Sequence, residues 1–453
     1  MKMYPKIIII IITFLIVLSS VFYFLNFEEN KEDLLEYGVK SEVDQMEESL
    51  SAINLLWERT LHEMLQDSLW KERDAYDAGH FLMIPLQAAF SFKDQSKIND
   101  FHQFFSRFMK DYRKDNVDTL NTLTQLHFLY LASEYLVLTK TYEDQLPDEL
   151  CNIVMDSIES IWNQPAWQWK ICSISEFENM KKRIEWKLRI KEVPRSYCRA
   201  IIDEELFTFA IAADLKTILL DESPEFIDEI LDIAYEVFSS EVVFLDTESK
   251  KWLFQPGVWT DHSDYAYSGW AEIRENLTEK PVTGIATDTS HSHRFPLWLV
   301  SLERAFDKQG DLEKAQFIKR LRKGLAEQFF EKVLVPPSDE FPNYRTKNFM
   351  NGYNGIYRYG YITQGKGRGY GPYELSGTML LGWWSFLPEK SIRDVYCYIS
   401  SRFPLSEEEI KVYLGPDTTR DRHPLIKGKA QFKSGLLELI SKLICEYGTK
   451  LKN

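Results

Sequence analysis

The stretch DTSHSHRFPLWL, residues 288–299, gathers groups that could do chemistry. His291 and His293 stand two apart, Asp288 precedes them and Arg294 follows, in a chain with only eight histidines. A helix start accounts for part of this. Pro296 suits a first helical turn, apolar Leu299, Leu302 and Phe306 follow, and Gly310 is placed to end the helix. Asp288, Thr289, Ser290 and Ser292 then cap exposed amides. His291, His293 and Arg294 are left over. In an extended segment side chains two apart share a face, so the two imidazoles are expected side by side. Such a pair could hold a divalent ion, completed by Asp261, His262 or Asp288, although no HExxH frame is present. A histidine and an arginine facing a carboxylated substrate is the more economical chemistry. No cofactor is expected, and a divalent metal at His291 and His293 is the alternative.

Three further stretches carry reactive or ligand-binding types. Residues 343–384 hold no acid between Glu340 and Glu374, yet include Arg345, Lys347, Arg358, Lys366 and Arg368. The same stretch carries Tyr353, Tyr357, Tyr359, Tyr370, Asn351 and Asn354, a pattern for an anionic ligand bound by stacking and charge-assisted hydrogen bonds. Its GKGRG run is not a phosphate loop, because the GxxxxGK[ST] frame is missing. The stretch is expected to run into a helix from Tyr373 to Leu387 with Glu374 in the first turn, where the helix dipole favours a carboxylate. Residues 254–270, FQPGVWTDHSDYAYSGW, put Trp259, Asp261, His262, Asp264, Tyr265 and Tyr267 between two glycines. Aromatic rings offer a flat apolar face to a sugar, while tyrosine hydroxyls and carboxylates meet its hydroxyls. A loop packed by its own rings is the competing reading. Finally, His80 falls near a helix start with Asp74, Tyr76 and Asp77 beside it, either as a ligand-facing group or as a buried core histidine.

The elements that must position these groups read as helices. Apolar residues recur at helical spacing around 77–92, 96–112, 118–138, 147–162, 199–219 and 224–242, and again around 296–308, 311–331, 373–387, 391–402 and 430–447. Short turns between them argue for antiparallel helical hairpins. The best strand is EVVFLD at 241–246. Two long interruptions, 246–295 and 335–373, are too aromatic for disorder and too long to be mere connections.

The chain has 453 residues, 44% hydrophobic, 27% charged and 14% aromatic, with a formal charge of −15. That charge and the lack of any basic tract argue against nucleic acid as a partner. Ile7 to Phe27 is uncharged and follows Lys2 and Lys6, which predicts one membrane-spanning anchor with residues 1–6 cytoplasmic and the rest outside. The end of that run, VFYFLNFEE, is a poor cleavage site. Residues 28–50 then form an acidic stalk whose stripe of Val43, Met46 and Leu50 leads into the main helical domain, 51–453. Five scattered cysteines form no CxxC pair, so no structural zinc is signalled. In an oxidising exterior Cys172 and Cys198 could pair, or all five could be buried thiols. Oligomeric state is left open.

Helical hairpins in series, interrupted by Tyr/His/Arg/Asn-rich and Trp-rich loops, resemble the α/α-toroid enzymes that act on polysaccharides, the polysaccharide lyases and six-hairpin glycosidases. The resemblance is architectural and covers about residues 50–447. It implies an all-α toroid, an extracytoplasmic polysaccharide as partner and one of two chemistries. A lyase acting on a uronate needs a carboxylate neutraliser, a base and an acid, types supplied by Asn351, Asn354, Tyr353, Tyr357, Arg358, His291, His293 and Arg294. A glycosidase needs two carboxylates, drawn from Asp261, Asp264, Asp288 and Glu374. His80, Trp259, His262, Tyr265, Tyr267, Tyr359, Arg368 and Tyr370 are then candidate substrate contacts. The basic patch favours the lyase, and a tethered binding module without turnover is the third reading.

Overall fold

A computed structural model describes residues 40–113, 120–245, 250–360, 368–416 and 422–447. The expected anchor at 7–27 and the stalk up to residue 39 lie outside the described residues. No helix among the described residues is long and apolar enough to cross a membrane. The chain divides at Leu55 into two compact units, and the helix α1 (Lys40–Trp57) runs across the division.

The second unit is mostly helical. Its helices are α2 (Glu72–Phe81), α3 (Met83–Phe92), α4 (Gln95–Tyr112), α5 (Thr122–Glu143), α6 (Asp148–Asn163), α7 (Met180–Arg189), α8 (Asp203–Leu219) and α9 (Glu225–Glu241). After a long connection come α10 (Thr289–Ser292), α11 (Phe295–Gln309) and α12 (Leu312–Gln328). The chain then continues through α13 (Ser391–Ser401), α14 (Glu407–Leu414), α15 (Ala430–Lys433) and α16 (Leu436–Tyr447). Among the described residues strands are minor: three antiparallel pairs, β1 (Ala166–Trp167) with β2 (Glu176–Phe177), β3 (Val242–Phe244) with β4 (Trp252–Phe254), and β5 (Leu334–Val335) with β6 (Arg345–Thr346). The strand expected at 241–246 is β3, in register Val243 to Leu253.

Burial sorts the helices into two kinds. In α5 every residue from Leu126 to Thr139 is buried, and in α8 every residue from Glu204 to Lys216. A helix apolar all round must be covered all round. Other helices show one stripe only: α4, ahead of α5, buries Ile98, Phe101, Phe104, Phe105 and Phe108, and α6, after it, buries Leu150, Val154, Ile158 and Ile161. Each inner helix is joined to its outer partner by a short turn, α3 to α4, α5 to α6, α8 to α9 and α11 to α12. Those turns use left-handed residues where the helix must stop: Lys93 at φ 56°, Asp144 at φ 51° and Gly310 at φ 78°. Inner helices pack on one another in chain order, α2 on α5, α5 on α8, α8 on α11, and α11 on the turn at Trp383–Phe386. Trp383 returns to the start by donating its indole N–H to the His80 carbonyl (3.1 Å). The crossing of α2 and α5 is close enough that a Cβ on Gly79 would stand 2.5 Å from the His127 carbonyl oxygen.

The inner helices run in the same sense. Arg294 at the start of α11 meets Asp203 in the first turn of α8, and Arg304 farther along meets Asp214 farther along. The N-terminal ends therefore lie together, and the long connections 164–202, 242–294 and 329–390 emerge there.

Two helical expectations need correction. Residues 373–387 form no α-helix but two 3₁₀ segments, Ser376–Leu381 and Trp383–Phe386, hinged at Gly382 (φ 85°). The apolar run suited a helix, but the left-handed glycine breaks it. Residues 77–92 split at Leu82 into α2 and α3. Of the cysteines, Cys172 pairs with Cys198, and Cys397 pairs with Cys445 to join α13 and α16. Cys151 is a buried thiol.

Candidate functional site

At the N-terminal end of the inner helices lies a cleft of two lobes, about 500 and 420 Å³, each within the range of a small-ligand site. His291, Tyr357 and Arg358 line both lobes and mark their junction.

The centre is built on Asp288. Its backbone pairs with Phe349, and Thr289 N–H donates to the Asn348 carbonyl (2.9 Å), joining the two long connections. As the cap of α10, Asp288 accepts from Ser290 N–H (3.0 Å) and His291 N–H (3.2 Å). It also accepts from the Ser290 hydroxyl, from Tyr265 Oη (2.6 Å) and from His291 Nδ1 (2.8 Å). Burial alone would raise this carboxyl, but the charge of His291 and the hydrogen bonds from His291, Ser290 and Tyr265 hold it well below the carboxylate range. A carboxylate only accepts, so the imidazole proton sits on Nδ1 and the Nε2 lone pair is available. Nε2 stands 3.9 Å from Asp203 Oδ2, and the side chain keeps 31% of its exposure. Burial lowers the His291 pKa, yet Asp288 and Asp203 together carry it above the ordinary histidine value.

The capped turn changes the geometry expected for 288–293. These residues are helical rather than extended, so His291 and His293 diverge. His293 is buried and packs edge-on to Trp383 (5.8 Å) and beside His80 (5.5 Å). Burial and Arg294 hold it well below the usual histidine pKa. Among the described residues no group of three or more histidine, cysteine or acidic side chains could hold a metal ion.

Arg294 is buried and fully engaged. It donates to Asp203, to Tyr76 Oη (3.0 Å) and through Nε to His80 Nε2 (3.2 Å), and its charge lies 5.7 Å from the Phe207 ring. His80, whose Nδ1 donates to the Tyr76 carbonyl (3.1 Å), is thereby a neutral acceptor. Arg294 thus braces the cleft floor rather than reaching for a ligand.

Arg358 and Tyr357 complete the junction. Arg358 has φ 54°, a conformation that side chains rarely adopt without a compensating constraint. The constraint is Asp264, whose carbonyl accepts Arg358 N–H (2.9 Å) and whose carboxylate accepts Nε (2.7 Å). Tyr357 bridges to Tyr370 through backbone bonds of 2.9 and 2.8 Å and packs on Tyr265 (5.4 Å). Its ring is 1% exposed, and burial pushes its hydroxyl well above the ordinary tyrosine range.

The first lobe adds Trp259, stacked on Tyr265 at 5.7 Å and 14°, with His262 at 5.3 Å. Burial depresses the His262 pKa. The second lobe adds His80, Tyr370 and Glu374. Glu374 accepts Gly371 N–H (2.7 Å), and burial raises its pKa.

The other expected residues stand elsewhere. Asp261 lies outside the lobes, accepting from Ser196 Oγ (2.6 Å) and Ser196 N–H (2.9 Å). Tyr353 is 52% exposed and lines neither lobe. Asn351 Nδ2 points at the Gly284 carbonyl (3.4 Å), and Asn354 Oδ1 accepts Asn348 N–H (3.1 Å) and Tyr373 N–H (3.0 Å). Tyr359 packs on Tyr267 (4.5 Å) and donates to the Arg274 carbonyl (2.7 Å). Arg368 is exposed. Asn351, Asn354, Tyr267 and Tyr359 thus tie the loops together, the competing reading for residues 254–270, while Tyr353 and Arg368 face solvent.

Sequence reasoning missed Asp203, Trp167 and Trp169 in the first lobe and Arg422 in the second, and gave Tyr76 and Asp77 of the second only as neighbours of His80. Asp203 reads in sequence as an ordinary acid in the first turn of a helix. The signal for the tryptophans was available: WQWKIC places both just before Cys172, whose bond to Cys198 anchors the segment. No family model, curated protein or solved structure matches this chain.

Proposed function

We propose that the second unit is an α/α toroid that binds an anionic, uronate-containing polysaccharide and cleaves it by β-elimination, held outside the cell by the N-terminal anchor. The alternation of inner and outer helices, and the return of Trp383 to His80, support the toroid reading.

The observation that carries the chemistry is the junction of the two lobes. There a histidine oriented by a buried aspartate, a protonated tyrosine and an arginine line the same space. His291 Nε2 takes the proton alpha to the uronate carboxylate. The electron pair left behind forms the C4–C5 double bond as the C4–O4 bond breaks, and O4 takes the Tyr357 proton. Water then reprotonates Tyr357 and accepts the proton from His291. Arg358 stabilises the charge that develops on the carboxylate, aided by the positive N-terminal ends of α2, α5, α8 and α11. Asp288 fixes the tautomer, and Arg294 holds Asp203 beside His291.

The test follows ultraviolet absorbance of the unsaturated uronate together with reducing ends, using the full-length chain in detergent on a panel of uronate and neutral polysaccharides. Both signals rising on a uronate polymer is the expected result. Reducing ends without absorbance would transfer the chemistry to hydrolysis, with Glu374 as the acid whose pKa burial raises. Binding without either signal would leave a tethered polysaccharide-binding module.

A further inference from the structure

The two lobes differ in charge. The first is lined by three carboxylates, Asp203, Glu204 and Asp264, against the single guanidinium of Arg358. The second is lined by Arg358, Arg422 and Lys427 against Asp77 and Glu374, beside Arg294, which is committed to Asp203. The first-lobe carboxylates are paired with Arg294, Arg183 and Arg358, so an anionic sugar is favoured in the second lobe over the first.

The first lobe offers rings instead. Trp259, stacked on Tyr265, meets Trp169 edge-on at 6.1 Å, and Trp169 meets Trp167 edge-on at 5.4 Å. This series climbs from the Asp288 centre to the rim, where Trp167 is 45% exposed. Trp167 is nevertheless held from both sides: its indole N–H donates to Glu204 Oε1 (3.1 Å), and its carbonyl accepts Arg183 (3.0 Å). Gln168 between the two tryptophans donates to the Cys198 carbonyl (2.9 Å), beside the Cys172–Cys198 bond. An exposed indole fixed by buried charges and a cross-link is a preorganised surface, and preorganisation lowers the cost of binding.

We propose that Trp167 and Trp169 form an outer platform for a neutral or N-acylated hexose next to the uronate. The substrate is then an alternating heteropolymer rather than a homopolymer of uronate. This rests on the carbohydrate reading of the cleft but not on the elimination chemistry.

The experiment measures binding alone, on the full-length His291→Ala chain in detergent, with tryptophan fluorescence and calorimetry as readouts. The probes are hyaluronan hexasaccharide, which alternates glucuronate with N-acetylglucosamine, and a hexamer of galacturonate. The platform predicts that the alternating probe binds about tenfold more tightly, and that Trp167→Ala removes about that factor while Trp167→Phe retains it. Equal binding of the two probes, no binding of either, or unchanged affinity in Trp167→Ala overturns the proposal. Tight, Trp167-dependent binding with no turnover by the unmodified chain would sink the elimination and leave the platform standing.

Discussion

The same inner helices carry two layers of buried charge, and only one of them opens to ligand. In the upper layer Asp203 of α8 and the Tyr76 and His80 pair of α2 accept from Arg294 of the α11 start, and Asp203 also lies 3.9 Å from His291. Ten residues along α11, about 15 Å at the helical rise, Arg304 meets Asp214 of α8 (2.7 Å) and Glu134 of α5 (2.9 Å). Ser133 (2.6 Å), Ser301 (3.1 Å) and Gln87 (2.7 Å) saturate those two carboxylates. Below, each carboxylate is matched by donors from neighbouring helices, and the layer can only hold them in register. Above, histidines replace the second carboxylate, and one imidazole is left facing a cavity. Ion-pair chemistry becomes site chemistry when one partner can change its protonation state and reach solvent.

The largest expected effect separates the layers outright. His291→Ala should cut kcat by about a thousandfold, within the range for loss of a general base, and lower the denaturation midpoint by less than Arg304→Met does. A matching loss of stability would place His291 in the scaffold and break the contrast. Arg304→Met should do the reverse, costing about 3–5 kcal/mol in urea unfolding because two buried carboxylates lose their cation. Turnover by the remaining folded protein should be near normal.

Asp288→Asn should lower kcat about a hundredfold and move the acid limb of the rate profile. In the proposed elimination the His291 base must be neutral, so activity is lost as pH falls through a pKa that Asp288 and Asp203 hold above the ordinary histidine value against desolvation. Without the Asp288 charge that limb moves to lower pH, and a limb that stays put would remove His291 from the reaction.

The smallest effect concerns stability against pH, where the layers have opposite signs. Burial raises the Asp214 pKa from 3.8 to about 7, so the folded state binds the extra proton, and stability falls as pH rises between those values. Asp288 is depressed, so its contribution is present above 3.8 and is lost as pH falls through its folded value. Asp214→Asn should flatten the slope between about pH 4 and 7 without moving the rate profile. An unchanged slope would show that Asp214 ionises normally.

Much of the helical order was legible because inner helices are long apolar runs and outer ones have a clear stripe. The segment at 373–387 was misread because its apolar spacing says nothing about Gly382, whose left-handed backbone ends the helix. Within the site, His291, Asp288, Tyr357, Arg358 and Trp259 stood out as chemistry-bearing residues in loops too long to be connections, and the fold brings them to one cleft. Asn354 and Tyr359 belong to the same loops by composition, yet their side chains serve the turns of those loops. Asp203 and Trp167 went unnoticed because one looks like any first-turn acid and the other's partners, Glu204 and Arg183, lie 37 and 16 positions away.

The short turns between inner and outer helices all lie at the end away from the cleft, while the long connections emerge beside it. Drift in those connections can lengthen, shorten or replace the walls of the site without displacing a single helix. The architecture thereby separates inheritance of the scaffold from invention of the substrate, and relatives could share the helical scaffold while differing at nearly every residue that meets a ligand.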